Sequence, residues 1–305
     1  MERTNVKIDF IGIGAGRSGT TWILEALGEH PHIWLPKEQK LNYFSNPRSN
    51  GGPSEYEKRG MWGYLDEFKN APVDKIKGEF SSHYMPDEKV AEIIKKHFPK
   101  IKIWAVLRNP VERAFSDYIR GREFHLKEKV DFETAFFAKK NELYKNGDGY
   151  RQRGFYHKQL KKYFELFPKK NIKIILYDDL KKNNQRVIRE LYRFLSVDAS
   201  FVPSIIGKKV SPRVGTKFKT IKKIISSLAN ISHKMERSSV GYLVYLMKRK
   251  TKISKIFNKI DEANTEKDVD HETLALEIYE KLKKEYKKDI EELEKLIGRD
   301  LKSWK

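Results

Sequence analysis

The run Gly12-Ile13-Gly14-Ala15-Gly16-Arg17-Ser18-Gly19-Thr20-Thr21-Trp22 has the residue types and spacing to hold an anion. An apolar stretch ends there in a glycine-rich turn, and the turn leads into a helical pattern. Such a turn aims free backbone N–H groups and the positive end of a helix dipole at one point, which favours a phosphate-like group. The spacing from Gly14 to Gly19 fits the nucleotide phosphate loop G-x-x-x-x-G-K-[ST]. Thr20, however, stands where the lysine belongs, and the cation comes three residues earlier as Arg17. A nucleotide triphosphatase uses that lysine on its β- and γ-phosphates and the next hydroxyl on magnesium. The loop therefore suits a phosphate other than that of Mg-ATP. The bland alternative is a glycine-rich turn with no ligand.

A second candidate anchor is Arg108-Asn109-Pro110-Val111-Glu112-Arg113-Ala114-Phe115-Ser116-Asp117-Tyr118. It follows the apolar run Ile101–Leu107, which would deliver Arg108 to the end of a strand. Pro110 suits a first helical turn, where a missing N–H costs little. Ser116 lies about two helical turns beyond Arg108, so a helix could fold it back toward the same edge. A guanidinium with a hydroxyl makes a phosphate clamp of charge-assisted, often bidentate bonds. Arg113 and Asp117 read as an i, i+4 surface pair.

Both segments resemble the sulfotransferases that use 3′-phosphoadenosine 5′-phosphosulfate (PAPS). G-A-G-R-S-G-T-T-W is similar to that family's 5′-phosphosulfate loop, and R-N-P-x-x-R-A-x-S-x-Y matches its 3′-phosphate motif as a whole. The resemblance implies donor contacts by Gly16, Arg17, Ser18, Gly19, Thr20, Thr21 and Trp22 at one end and by Arg108 and Ser116 at the other. It continues in Arg153-Gly154-Phe155-Tyr156 with Gln159-Leu160, in Ile175–Leu180, in Phe194–Val197 and in Ser211-Pro212-Arg213. Tyr156 could face nucleotide or acceptor or fill the core, and Arg213 is a further candidate donor contact. The implied reaction moves a sulfuryl group to a hydroxyl, or an amine, of a carbohydrate acceptor, leaves adenosine 3′,5′-bisphosphate and requires no metal.

Sulfuryl transfer needs a base for the acceptor proton and a cation on the bridging oxygen of the leaving nucleotide. Arg17 is placed for the second task, where many relatives carry lysine. Many glycan sulfotransferases place the base in E-[LV]-H-[FY]-F. Aligned on Tyr43-Phe44, that glutamate falls on Lys40 and the histidine on Asn42. Glu38 is the nearest carboxylate and is taken as the base. Glu79, in Gly78-Glu79-Phe80-Ser81-Ser82-His83-Tyr84, is the runner-up, with His83 and His125 as further options. Lys40 could act as a base only if burial or neighbouring cations lowered its pKa.

These residues need a scaffold. Ile8–Ile13, Ile101–Leu107 and Ile172–Tyr177 read as buried parallel strands, each followed by a turn and a helical pattern. A shorter strand precedes Gly78. The alternation predicts an α/β fold: one P-loop-like domain over residues 1–305, a central parallel sheet flanked by helices, and ligands at the strands' carboxyl ends. The first helix carries Trp22, Leu24 and Leu27 and ends at Gly28 and Pro31. Asn46–Gly60 reads as a loop. Tyr279, Leu282, Tyr286, Ile290, Leu293 and Ile297 recur at helical steps up to Gly298, inside a C-terminal segment 265–305 that returns to the core.

The 305 residues carry a formal net charge of +21 and no cysteine. The charge attracts polyanions, and the missing cysteines exclude disulfides and thiolate metal sites. About a dozen Lys and Arg between Lys217 and Lys259 face Glu236 as the lone acid. This reads as a basic helical insertion over 217–260, either packed on the surface or touching a membrane. Charges interrupt Met1–Asp9 and no apolar run reaches bilayer length, which predicts a soluble cytoplasmic protein. Two further readings stay open. One is a P-loop kinase-like phosphotransferase. The other is a non-enzymatic polyanion-binding protein, although the spread of the charge disfavours nucleic acid as its partner.

Overall fold

The computed structural model describes residues 6–38, 40–45, 53–124, 129–138, 149–208, 214–216, 265–267 and 273–305. Five apolar runs form one parallel sheet in the order β2-β3-β1-β4-β5. The central strand β1 (Phe10–Gly14) is buried throughout. It pairs with β3 (Ile76–Phe80) on one side and β4 (Lys102–Leu107) on the other. Beyond these lie β2 (Ile33–Trp34) and β5 (Ile172–Leu176).

Side chains alternate across the sheet, as the period of two requires. Ile11, Ile13, Ile103, Ala105 and Leu107 enter one apolar core. There they meet α3 (Glu88–His97), α4 (Pro110–Ile119), α6 (Tyr156–Leu166) and the long closing helix α9 (Leu276–Ile297). Phe10, Phe80, Trp104, Val106 and Ile175 enter a second core under α1 (Thr20–Glu29) and α8 (Asn184–Leu195). Helices α2 (Glu55–Asp66), α5 (Phe132–Phe137) and α7 (Tyr177–Lys182) fill in between. The layered arrangement expected from the sequence is present.

Three backbone bonds pin the loops after β1 and β3 to the carboxyl edge. They are Ala15 N–H to Val106 C=O at 2.8 Å, Ser81 N–H to Gly12 C=O at 2.8 Å and Met85 N–H to Ile13 C=O at 2.9 Å. Pro110 and Asn109 start α4 as expected. Asn109 Oδ1 accepts from the Val111 and Glu112 N–H groups, and Asn109 Nδ2 donates to the Tyr279 hydroxyl of α9 at 2.9 Å. The chain's end docks on α7: Trp304 Nε1 donates to Asp178 and Arg299 pairs with Asp179.

Some expectations need correction. Glu55–Arg59 is helical rather than loop, because Ser54 and Glu57 form a reciprocal capping box that starts α2, and Gly60, at φ 61°, is a non-helical kink within it. The short strand runs through Gly78-Glu79-Phe80 instead of preceding it. Gly28 lies inside α1, whose last residue is Glu29. The edge strand β2, two residues long, had no signal of its own. The insertion 217–260 lies outside the described residues, but its flanks do not. β6 (Val214–Thr216) and β7 (Thr265–Lys267) pair antiparallel, with Thr216 opposite Thr265. The chain therefore leaves and re-enters at one place. Among the described residues, no helix is long and apolar enough to cross a membrane.

Gly12 is required by close approach. The Trp104 ring stacks on Phe80 with centroids 5.2 Å apart, and a Cβ on Gly12 would fall 2.5 Å from Trp104 and 2.6 Å from Phe80. Gly12→Ala should therefore cost about 1–3 kcal/mol by overpacking. Urea unfolding should show a lower midpoint with an unchanged slope; an unaltered midpoint would mean that the two rings move aside freely.

Candidate functional site

The turn after β1 folds as an anion cradle. Arg17 has φ 70° and Gly19 has φ 82°, whereas Ser18 between them is not left-handed. Alternation of this kind turns successive N–H groups toward one concavity. Gly19 then caps α1, whose N-terminus points into the same place. Thr20 is buried in the first turn and Thr21 is exposed. Gly16 borders Ser82: a Cβ there would meet that side chain at 3.4 Å. Ser18 is fully buried, and its Oγ has no hydrogen-bond partner among the described residues. A buried hydroxyl without a partner is costly, so the loop fits an oxygen-rich ligand. Trp22 is buried against the second core.

The two anchors meet. Arg17 Nη2 donates to Ser116 Oγ at 3.2 Å, and Arg108 Nη1 donates to the Arg17 carbonyl at 3.4 Å. Strand β4 supplies Arg108 and helix α4 returns Ser116, as the spacing anticipated. The Arg108 guanidinium lies over the Tyr177 ring at 4.8 Å and forms two bonds to Glu112 Oε2, each 3.1 Å.

Arg113 is paired with Asp117 at 3.1 Å, but not at the surface: their side chains are 2% and 10% exposed. Arg113 also donates to the Tyr150 carbonyl. The pair is a buried brace of α4, covered by chain that local spacing does not reveal. Tyr156 is a core aromatic. It is 0% exposed, and burial pushes its pKa up to about 12 against the opposing charges of Arg113 and Arg108. Arg213 and His125 lie outside the described residues.

The remaining acid–base candidates separate by environment. Glu38 is exposed on the turn that follows β2. Glu79 is fully buried, and burial raises its pKa to about 7, opposed by Tyr84, Ser81, the Leu41 N–H and Tyr64. His83 is pushed down to about 3 by burial and by the Arg153 charge. Arg153 Nη2 stands 3.0 Å from His83 Nδ1. A guanidinium only donates, so Nδ1 accepts and the ring's proton sits on Nε2. His83 is thereby a fixed neutral donor at Nε2. Lys40 has a lowered pKa, from burial first and then from Arg120 and Arg17. The direction required for Lys40 to lose its proton is present. The Lys40–Arg17–Arg120 grouping had no sequence signal, because α4 brings Arg120 in from a distance.

The sulfotransferase domain family matches residues 7–241. Human heparan sulfate glucosamine 3-O-sulfotransferase 5 is 27% identical over 175 residues, covering 55% of this chain and 47% of that protein. The membrane-associated sulfotransferase kil1 of Dictyostelium discoideum is 29% identical over 110 residues, covering 36% of this chain and 22% of that protein. The chain thus spans about half the length, or less, of these curated relatives. The crystal structure of a sulfotransferase from Alicyclobacillus acidocaldarius superposes with TM-score 0.69 at 23% identity, covering 98% of this chain and 99% of that one. That likeness is one of fold.

Glu79 generates a pH prediction. Its carboxyl has a folded pKa of about 7 against an ordinary value of 4.5. Between those values the native state binds more protons than the unfolded chain, so this group's contribution to stability falls as pH rises through the window. Glu79→Gln should flatten that fall. The measurement is denaturant unfolding of both proteins from pH 4.5 to pH 8; parallel profiles would count against a buried, proton-retaining carboxyl.

Proposed function

The chain belongs to the sulfotransferase domain family, and we propose from that premise that it moves the sulfuryl group of PAPS to a hydroxyl of a carbohydrate. The observation carrying this reading is the pair of linked anion anchors, the Gly14–Gly19 cradle and the Arg108–Ser116 clamp, joined through Arg17. Two separated anionic ends on one adenosine nucleotide match two anchors. The unpartnered Ser18 hydroxyl supports an oxygen-rich occupant. The carbohydrate acceptor is supported by the human relative named for glucosamine in heparan sulfate.

When bound, the donor supplies an activated sulfuryl group with adenosine 3′,5′-bisphosphate as leaving group. Gly16 to Thr21 grip its 5′ end through backbone N–H groups and hydroxyls. Arg17 stabilises the charge that grows on the bridging oxygen. Its pKa, above about 12, makes it a charge stabiliser rather than a proton donor. Arg108 and Ser116 hold the 3′-phosphate. Glu38, exposed on the turn after β2, accepts the acceptor's proton. Glu79 is unsuited to that task because it is sealed from solvent, and His83 presents a donor where a base must accept. The charge of the basic segment 217–260 would suit peripheral contact with anionic surfaces.

Two measurements test the reading. Calorimetry should show tighter binding of adenosine 3′,5′-bisphosphate than of AMP, and Arg108→Ala should erase most of that preference. Equal affinity of the unmodified protein for both nucleotides would sink the donor assignment. Turnover should also persist in EDTA, where a kinase-like phosphotransferase would stop.

The base is tested separately. Glu38→Gln should lower turnover about 10²–10⁴-fold, the usual span for general-base removal, with bisphosphate affinity unchanged. Full activity in that variant would remove Glu38 from the mechanism.

A further inference from the structure

Asn109 stands between the clamp arginine and the helix that returns Ser116, and its side-chain amide is committed on both sides. Its Oδ1 accepts from the Val111 N–H at 3.0 Å and the Glu112 N–H at 3.2 Å, which caps α4. An amide whose oxygen faces the helix aims its NH2 group the other way. There Nδ2 donates to the Tyr279 hydroxyl at 2.9 Å, across 170 residues of chain. Asn109 is 3% exposed, so the amide has little water to turn to. Glu112, whose N–H it holds, bonds the Arg108 guanidinium twice at 3.1 Å. One side chain thus sets both the backbone that follows Arg108 and the turn that carries its counterion.

Tyr279 can act as a fixed post because α9 is seated along its length. Leu282, Tyr286, Ile290 and Leu293 are buried. The Tyr286 hydroxyl donates to the Arg151 carbonyl at 2.8 Å, and a Cβ on Gly154 would fall 2.6 Å from the Tyr286 ring. Glu285 pairs with Arg151. Asp289 accepts from the His157 N–H at 3.0 Å and the Lys158 N–H at 3.2 Å, so α9 caps α6 from outside that helix. Tyr279 lies in the first turn of α9 and is half-buried. The residues matched by the family model end at 241, so this post lies beyond them.

We propose that Tyr279 is a positioning residue for the 3′-phosphate clamp: it holds the Asn109 amide, and through it the direction in which Arg108 meets the phosphate. This rests on the donor reading above and extends it to the closing helix, which then serves the donor site as well as the core. A guanidinium grips a phosphate through aligned, paired bonds. Without the Tyr279 hydroxyl, the amide loses its outer partner and the cap loosens. Arg108 then keeps its charge but loses its alignment.

The test is calorimetric binding of adenosine 3′,5′-bisphosphate and of AMP, which lacks the 3′-phosphate. Tyr279→Phe should weaken the bisphosphate about three- to tenfold, the usual worth of one hydrogen bond, and leave AMP within about twofold. Asn109→Ser keeps a capping oxygen but is too short to reach the hydroxyl. It should repeat the pattern, and in a Tyr279→Phe background it should add little. Should Tyr279→Phe not fold, Asn109→Ser carries the same comparison. Tyr286→Phe removes the other hydroxyl of the same helix, at the Arg151 carbonyl. It should lower the urea midpoint and leave the ratio of the two affinities unchanged. Retention of the full ratio by Tyr279→Phe, or equal weakening of both nucleotides, overturns the proposal. So does a matching loss of ratio in Tyr286→Phe, which would assign the effect to the seating of α9 as a whole. If the unmodified protein shows no preference for the bisphosphate over AMP, the donor reading fails and takes this proposal with it. A preference that survives Tyr279→Phe removes this proposal alone.

Discussion

Arg17 joins two elements that start far apart in sequence. Its carbonyl accepts from Arg108 at the end of β4, and its guanidinium donates to Ser116 on α4. Its own left-handed backbone forms part of the turn after β1. Moving any one of these would move the other two. The central pairing of β1 with β4 sets the distance between them, and the Ala15 to Val106 bond fixes the height of the turn above the sheet. A rigid parallel sheet is thereby converted into a fixed separation between two anion anchors.

Charge management explains much of what surrounds them. Arg17, Arg108 and Arg153 lie near one edge, and each is held by a neighbouring side chain. Tyr177 lies beneath Arg108, Ser116 beside Arg17, and His83 in front of Arg153. The buried Arg113–Asp117 pair keeps α4 in register beneath this edge. Buried pairs contribute little net stability but are costly to break, which suits a brace more than a source of affinity.

The parts legible in the sequence were those written in local pattern. The glycine spacing from Gly14 to Gly19 announced the cradle, and the apolar run before Arg108 placed that residue at a strand end. The three- and four-residue recurrence from Tyr279 to Ile297 marked the closing helix. What escaped depends on contacts between distant segments. Glu79 reads as the runner-up base, and its burial shows only when Leu41, Tyr64, Ser81 and Tyr84 are seen around it. Arg113 reads as surface until the Tyr150 carbonyl reaches it. Ser54 and Glu57 were readable as a helix start, but the glycine, proline and serine around them pointed to a loop.

Arg108 and Glu112 carry a consequence for the tempo of the cycle. Glu112, in the first turn of α4, occupies two guanidinium donors of Arg108 at the end of β4, and its side chain is 43% exposed. On the proposed reading, an arriving phosphate exchanges with this tethered counterion, and a departing one is replaced by it. Such an exchange lowers the net grip on spent nucleotide and lets it escape without leaving a bare charge behind.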